Sequence, residues 1–189
     1  ALPAAPAGIG GDRHSPAVAA RAGEALAARD RFVVARSPGA HSMYLRAINA
    51  AADAVAFEFG VELRIVRDAW ARADLAHQTA TLAALSQLGV AYQFNRADPG
   101  NAFDCSGLTS YSWSRAGTSI VHQSSAQISA AASRDEGTAM AGDLVQYPGH
   151  VMMSLGFDRA IVHAANHDTD VELSRLRDGR SYRFGDPSR

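Results

Sequence analysis

Residues 143–165, DLVQYPGHVMMSLGFDRAIVHAA, contain three short apolar runs separated by turn residues. The runs are DLVQY, HVMMSL and AIVHAA, and Pro148-Gly149 and the stretch GFDR (156–159) lie between them. Runs of this length, bounded by Gly, Pro and Asp, are typical of β-strands joined by tight turns. Two further runs follow, DVELSRL (170–176) and SYRF (181–184). The sequence therefore predicts an antiparallel sheet in the C-terminal half of the chain.

The predicted hairpin around GFDR places two histidines together. If GFDR forms the turn, Leu155 pairs with Ala160 and Met152 pairs with His163. Because side chains alternate between the faces of a strand, His150 and His163 then share one face. They are diagonal neighbours, roughly 7 to 8 Å apart at the backbone, which allows a ring-to-ring hydrogen bond. A register shift of one residue would place them on opposite faces.

Helical patterns precede the strands. Apolar residues recur at helical spacing, and capping residues or glycines mark the ends of the segments. Helices are predicted at 17–29, 41–59 and 62–88, the last as one long helix or two joined. Helices followed by consecutive strands indicate an α+β fold with an antiparallel sheet. We place a boundary between a helical N-terminal segment (1–80) and an α+β domain (81–189).

The composition of the 189 residues excludes several classes of protein. A formal net charge of −1 gives no basis for nucleic acid or an anionic membrane as the main partner. One cysteine excludes an internal disulfide and a cysteine-cluster zinc site. No apolar run approaches the roughly 18 residues of a transmembrane helix. The sequence begins ALPAAPAG, without Met, which predicts a processed or trimmed chain and leaves export open.

The single cysteine, Cys105, lies in the stretch FDCSGL (103–108). Asp104 is placed to cap a helix predicted from Cys105 to Arg115, which puts the thiol in the first helical turn. The partial positive charge there is expected to lower the pKa of the thiol. Ser106 and Gly107 keep the turn small, so that a substrate can approach. Two interpretations stay open at this point, a nucleophile and a buried structural cysteine.

A cysteine nucleophile needs a base, normally histidine, and a group that orients the base. His150 opens a strand directly after the Pro-Gly turn, and His163 lies inside an apolar strand, where a core residue is the alternative. A helix bearing Cys105 across their shared face would align nucleophile, base and orienting residue. Three other histidines are predicted to lie on the surface of the helical half: His14, His41 and His77.

The ordered motifs of the C-terminal half resemble the NlpC-type cell-wall peptidases, which are papain-like cysteine hydrolases. The resemblance runs from about Leu82 to Arg177 and implies a papain-like domain, its antiparallel sheet packed against helices. Its motifs are GVAYQFN (89–95), FDCSGLTSYSW (103–113), HQSSAQ (122–127), AGDLVQYPGHVMMSLG (141–156) and AIVHAA (160–165). The family often reads YxWGG and HVGIYLG where this chain has YQFNRADPGNA and HVMMSLG, which leaves the substrate preference open.

The resemblance implies roles for individual residues. Cys105 would be the nucleophile, His150 the base and His163 the residue that orients the base, with Asn166 and Asp168 as further candidates for the orienting role. Capping of a helix near 125–133 is the alternative role for the two serines of HQSSAQ. The expected substrate-binding and oxyanion region comprises Tyr92, Asp104, Ser106, Ser124 and Ser125.

The function implied is that of a secreted peptidoglycan hydrolase in the cell wall or periplasmic space. A cysteine endopeptidase would cut stem peptides, at the bond between D-isoglutamate and meso-diaminopimelate, by thiolate attack and hydrolysis of an acyl-enzyme. We expect neither a cofactor nor a metal ion. A papain-like amidase or acyltransferase and a non-enzymatic peptidoglycan-binding module are the alternatives.

Residues 1–80 carry no chemical motif. Three roles compete for this segment: a helical packing appendage, an inhibitory segment that covers the cleft, and an interface with a cell-wall partner. Peptidase activity of the full chain compared with that of a chain starting near Gln78 would separate them.

Overall fold

The computed structural model describes residues 10–189, so residues 1–9 of the predicted helical segment lie outside the described part. Serine side chains open the first two helices, because Ser15 accepts a hydrogen bond from the Val18 amide and Ser37 accepts one from the Ala40 amide. Gly60, at φ 65°, ends the second helix in the left-handed conformation. The N-terminal helices are α1 (Pro16–Ala35), α2 (Pro38–Phe59), α3 (Leu63–Arg72) and α4 (Leu75–Leu85).

The predicted helical segment 62–88 divides into α3 and α4. Asp74 accepts a hydrogen bond from the His77 amide and thereby caps α4, while Ala73 has an extended backbone. The boundary predicted at residue 80 falls inside α4. One continuous hydrophobic cluster joins the four helices to the strands, so the helical segment and the sheet share a core.

A six-stranded sheet forms the second layer, in the order β4-β9-β5-β6-β7-β8. The α+β class and the antiparallel pairing predicted from the sequence are confirmed. The strand of β4 was not predicted, and β9 begins two residues later than the predicted run. The strands are β4 (Ala132–Arg134), β5 (Ala141–Tyr147), β6 (His150–Leu155), β7 (Ala160–Ala164), β8 (Val171–Arg175) and β9 (Arg183–Asp186).

Shorter elements complete the chain. A small sheet in the order β1-β3-β2 precedes the helix that carries the cysteine. Among the described helices, none combines the length and the apolar character required to cross a bilayer. The elements are β1 (Ala91–Tyr92), β2 (Ala97–Asp98), β3 (Ala102–Phe103), α5 (Cys105–Arg115), α6 (Ser124–Ala130) and a 3-10 turn (Glu136–Thr138).

The register of β6 and β7 is the predicted one. Met153 pairs with Val162, and Ser154 pairs with Ile161. The same register places Met152 opposite His163. The helices pack on the face that carries Val151 and Met153. The opposite face carries a smaller apolar cluster, formed by Val145, Met152, Ile161, Leu176 and Phe184.

Candidate active site

Asp104 organises the start of α5, where Cys105 lies. One carboxylate oxygen, Oδ1, accepts hydrogen bonds from the Gly107 amide at 2.7 Å and from the Ser106 hydroxyl at 3.1 Å. The other, Oδ2, accepts one from the Asn95 amide at 2.7 Å. The predicted cap is therefore confirmed, and it places Cys105 in the first turn of the helix.

His122 is a neighbour of this cap that the sequence interpretation did not single out. Its Nε2 lies 2.8 Å from Asp104 Oδ1. Gly107 has to be a glycine here, because a Cβ would stand 1.9 Å from the Arg96 carbonyl oxygen and 3.0 Å from His122 Nε2. The position of His122 at the start of the HQSSAQ motif was the feature that could have indicated this contact.

The thiol of Cys105 is half-buried, and burial raises its pKa. The negative charge of Asp104 also raises the pKa, whereas the backbone amides of Val151, Ser106 and Cys105 lower it. The balance is a raised pKa, so the predicted lowering is wrong. Dehydration of the thiolate and the nearby carboxylate outweigh the effect of the helix N-terminus.

His150 and His163 form a hydrogen-bonded pair. His150 Nε2 lies 2.8 Å from His163 Nδ1, and the rings meet edge to face with centroids 5.1 Å apart. The pair follows from the register, since both side chains lie on the face of the sheet that carries Met152 and Ile161. The predicted ring-to-ring contact is confirmed.

The pKa of His150 is lowered to about 3. Burial is the main cause, and the charges of His163 and Arg180 add to it. His150 is therefore a neutral imidazole near pH 7, beside a thiol whose raised pKa keeps it protonated as well. The free protein holds the two groups as a neutral pair.

The helix α5 does not cross the face of the histidine pair, contrary to the prediction. It packs through Leu108 and Trp113 on the side of the sheet that carries Val151. In the described part of the chain, His150 hydrogen-bonds with His163 and not with the thiol. Cys105 instead meets β6 at its first residues, where the Val151 amide points to the thiol. This arrangement leaves Nδ1 of His150 as the ring nitrogen that His163 does not engage.

Glu172 extends the histidine pair. It lies opposite His163 in the pairing of β7 with β8, and its Oε1 is 3.4 Å from His163 Nε2. Burial raises the pKa of Glu172, but His163, Arg13 and His14 together hold it below the ordinary value. Sequence reasoning missed Glu172. Alternation along the run DVELSRL could have found it, because the pairing of β7 with β8 sets the face of each residue.

The two polar residues considered as alternative orienting groups, Asn166 and Asp168, lie elsewhere. Both are exposed, in the loop between β7 and β8. The Asn166 side chain accepts a hydrogen bond from the Asp168 amide at 2.8 Å, which is a local turn contact.

Tyr92 lies near Cys105. Burial raises its pKa, and the charges of Cys105 and Asp104 raise it further. The Tyr92 amide donates to Asp170 at 3.1 Å, and its ring meets His167 edge to face. The structure therefore brings Tyr92 to the side of the site that contains Cys105.

The two serines predicted near the substrate cleft lie in the first turn of α6. Ser124 is half-buried and Ser125 is exposed. The cap of this helix is Gln123, whose side chain accepts from the Ala126 amide, so capping by a serine is wrong. Gln127 of the same motif is buried and bonds Thr109 and the backbone of α5, which is a packing role.

A cavity of about 250 Å³ opens beside the histidine pair. Arg180 lies at its rim, with the guanidinium carbon 4.2 Å from the centroid of the Tyr147 ring. The cavity combines basic, aromatic and imidazole groups, and its lining includes Tyr147, His150, His163, Glu172, Arg177, Arg180 and Tyr182.

A second cluster of titratable groups surrounds His77, which is fully buried and not a surface residue as predicted. His77 Nδ1 lies 2.9 Å from Asp74, and its Nε2 lies 3.3 Å from both Asp143 and Asp186. Arg134 donates to Asp186 at 2.7 Å. Although burial lowers the pKa of His77, the hydrogen bonds and charges of Asp143 and Asp74 raise it above the ordinary value.

The ligand atoms of His77, Asp143 and Asp186 lie within 4.8 Å of one another, a spacing that could hold a metal ion. However, the carboxylate oxygens already accept from protein donors. Asp143 Oδ2 accepts from the Met140 amide at 2.7 Å, and Asp186 Oδ1 accepts from the Ser188 hydroxyl at 2.6 Å. The cluster is an ionic network that joins α4 to the sheet.

Comparisons with known proteins identify the family to which this sequence is similar. The family model described as NlpC/P60 family matches residues 89–184. A probable endopeptidase of Corynebacterium glutamicum is 39% identical over 97 residues, which are 50% of this chain and 46% of the relative. The bifunctional muramidase/DL-endopeptidase CwlT of Bacillus subtilis is 30% identical over 111 residues, 54% of this chain and 33% of the relative. The chain spans less than half the length of these two relatives.

A solved structure with the same fold is RipD of Mycobacterium tuberculosis, described as a non-catalytic NlpC/p60 domain protein adapted to peptidoglycan binding. It superposes with a TM-score of 0.51 at 20% identity, and the match covers 60% of this chain and 98% of that one. Identity at this level concerns the fold alone.

Proposed function

Because the chain belongs to the NlpC/P60 family, we propose that it is a peptidoglycan hydrolase that acts as a cysteine endopeptidase. One observation carries the proposal. Cys105, at the start of α5, lies next to the first residues of β6, the strand that bears His150, and His163 is hydrogen-bonded to His150. The two relatives with endopeptidase in their names support it. We propose the bond between D-isoglutamate and meso-diaminopimelate as the target, in the cell wall.

In the proposed reaction, His150 Nδ1 accepts the proton of the Cys105 thiol, and the thiolate attacks the amide carbonyl carbon. The oxyanion accepts hydrogen bonds from amides at the start of α5, those of Cys105 and Ser106. His150 then gives the proton to the departing amine, and water hydrolyses the thioester. Since thiol and imidazole are neutral in the free protein, the proton moves within the substrate complex.

The arginines beside the histidine pair support an anionic substrate. Stem peptides of the proposed type carry carboxylates on both sides of the bond that is cut. Arg177 and Arg180 line the cavity that contains His150, so a substrate carboxylate there would meet positive charge. A carboxylate beside Arg180 would also reduce the charge that lowers the pKa of His150.

A non-enzymatic peptidoglycan-binding module is the second candidate, and one observation favours it. The thiol and the imidazole are both neutral, with pKa values shifted away from the thiolate and imidazolium forms. A papain-like amidase or acyltransferase is the third, because the nucleophile does not determine the leaving group.

The test is digestion of purified peptidoglycan fragments by the wild type and Cys105→Ala, followed by mass spectrometry. We expect the wild type to release products cut between D-isoglutamate and the diamino acid, and Cys105→Ala to release none. Identical fragment profiles would refute the peptidase. Products cut at another amide, or joined to an added amine, would instead establish the amidase or the transferase.

For residues 10–80 we propose a packing role. Trp70 donates from its indole nitrogen to the Leu155 carbonyl at 3.1 Å, and the helices share the core of the sheet. A chain that starts at Gln78 is therefore expected to lose both its cooperative unfolding transition and its activity. Greater activity of the shortened chain would favour the inhibitory role instead.

A further inference from the structure

The charged contacts of the site continue beyond the histidine pair to the N-terminal segment. His163 Nε2 lies 3.4 Å from Glu172 Oε1, and Glu172 Oε2 lies 3.7 Å from the Arg13 guanidinium. Glu172 is 5% exposed, whereas the Arg13 side chain is 55% exposed. The Arg13 carbonyl accepts a hydrogen bond from the Leu173 amide at 2.8 Å, which fixes this segment along β8.

The contact between His163 and Glu172 bears on which ring nitrogen of His163 carries the proton. His150 Nε2 and His163 Nδ1 are 2.8 Å apart, so one of the two nitrogens carries the shared proton. Among the described residues, His163 Nε2 and Glu172 Oε2 are buried without a conventional hydrogen bond, and a buried unpaired polar atom is costly. A proton on His163 Nε2 faces a carboxylate, and Nδ1 is then free to accept from His150.

We propose that Glu172 is a positioning residue that holds His163 with its proton on Nε2, so that His150 donates from Nε2 and keeps Nδ1 for the thiol proton. The inference rests on the proposed use of Cys105 as nucleophile and His150 as base. When His150 takes the thiol proton, its charge is stabilised by His163 Nδ1 and, through His163, by Glu172. Burial raises the pKa of Glu172, but His163 lowers it, and Arg13 and His14 of the N-terminal segment lower it further.

The state of the thiol can be measured without peptidoglycan. The rate at which iodoacetamide alkylates Cys105 is followed from pH 5 to 9 in the wild type, Glu172→Leu and Glu172→Gln. For metal-ligating histidines, loss of an orienting partner typically costs about 10- to 100-fold in affinity or activity, and we expect a rate loss of that order in Glu172→Leu. Glu172→Gln, which keeps an acceptor oxygen, should lose less, and the pH profile of both variants should shift.

Glu58→Gln is the matched control. Glu58 is also buried, and its carboxylate accepts from the Asp12 amide and the Ser15 hydroxyl, so it anchors the same segment away from the histidines. An unchanged pH profile in Glu172→Leu, or equal losses in Glu172→Leu and Glu58→Gln, would overturn the proposal. Identical peptidoglycan fragment profiles for the wild type and Cys105→Ala would instead contradict the proposed function.

A measurement on the wild type keeps the proposal testable if Glu172→Leu does not fold. Nitrogen chemical shifts of ¹⁵N-histidine in the full chain report which ring nitrogen of His163 is protonated, and His163→Gln assigns the resonance. The expected form has its proton on Nε2. A proton on Nδ1 would exclude the arrangement.

Discussion

The cluster around His77 and the pair formed by His150 and His163 are two buried imidazole sites with opposite electrostatics. His77 lies among Asp74, Asp143 and Asp186, and although burial lowers its pKa, Asp143 and Asp74 raise it above the ordinary value. His150 contacts a second imidazole, and burial together with the nearby charges of His163 and Arg180 lowers its pKa to about 3.

The difference shows that burial alone does not decide what a histidine does. Carboxylates on both ring nitrogens favour the charged form of His77 and fix its ring in the framework. A neutral histidine with one ring nitrogen unengaged can exchange a proton, which a base has to do. Under the proposed function, the molecule thus separates a histidine that stabilises the fold from a histidine that exchanges a proton.

The largest expected effect is the loss of turnover in His150→Ala. Removing a general base typically costs about 10²- to 10⁴-fold in rate, and we expect a loss in this range for peptidoglycan cleavage and slower alkylation of Cys105. His77→Ala, measured per folded molecule, should keep the wild-type rate. Equal losses in the two variants would contradict the division between the sites.

For stability the order of the two variants is expected to be reversed, with His77→Ala more destabilised than His150→Ala. Removing one partner of a buried charged network typically costs about 3–5 kcal/mol, so urea unfolding of His77→Ala should show a free energy of unfolding lower by that order. His150→Ala leaves no carboxylate without its partner, and its free energy of unfolding should change less. A smaller loss in His77→Ala than in His150→Ala would be inconsistent with a structural cluster.

The two histidines should also give stability opposite pH dependences. The raised pKa of His77 contributes stability that is complete below its ordinary value near 6.5 and is lost as pH rises through the folded-state pKa. The lowered pKa of His150 costs stability as pH falls from 6.5 toward 3. Over this range His150 is protonated in the unfolded chain and stays neutral in the folded one.

Unfolding midpoints measured from pH 3 to 9 test this pair of trends. His77→Gln should flatten the loss above pH 6.5, and His150→Gln should reduce the loss below it. Asp74 and Asp186 also have lowered pKa values, so part of the acid loss should remain in both variants. Identical profiles in the wild type and His150→Gln would show that His150 titrates normally.

The smallest expected effect concerns Arg180→Gln. An exposed cation above an aromatic ring contributes about 0.5–1 kcal/mol, so little stability should be lost. The pKa of His150 should rise because one nearby positive charge is removed, and the KM for a carboxylate-bearing stem peptide should increase. Arg183→Gln, an exposed arginine outside the cavity lining, is the control and should change neither quantity.

Much of the fold follows from local patterns in the sequence. Gly60 and Ser37 mark helix ends, and the GFDR turn sets the register that brings His150 and His163 together. These features depend on residues close in the chain, where spacing determines geometry. The predicted cap at Asp104 is confirmed for the same reason.

The errors come from contacts between distant parts of the chain. His77 is predicted on a polar helix face at the surface, but β5 and β9 bring Asp143 and Asp186 to it. Glu172 meets His163 only through the pairing of β7 with β8, and Arg13 joins them from the other end of the chain. The raised pKa of Cys105 depends on burial, which capping patterns do not measure.

The position of β9 has a consequence for synthesis of the chain on the ribosome. Among the described strands β9 comes last in the chain, yet it lies between β4 and β5, and Asp186 at its end is one of the carboxylates around His77. In a nascent chain that stops before Arg183, the edges of β4 and β5 that pair with β9 have no partner strand. His77 also lacks the carboxylate of Asp186. Closure of this sheet has to wait until residues 183–186 have left the exit tunnel.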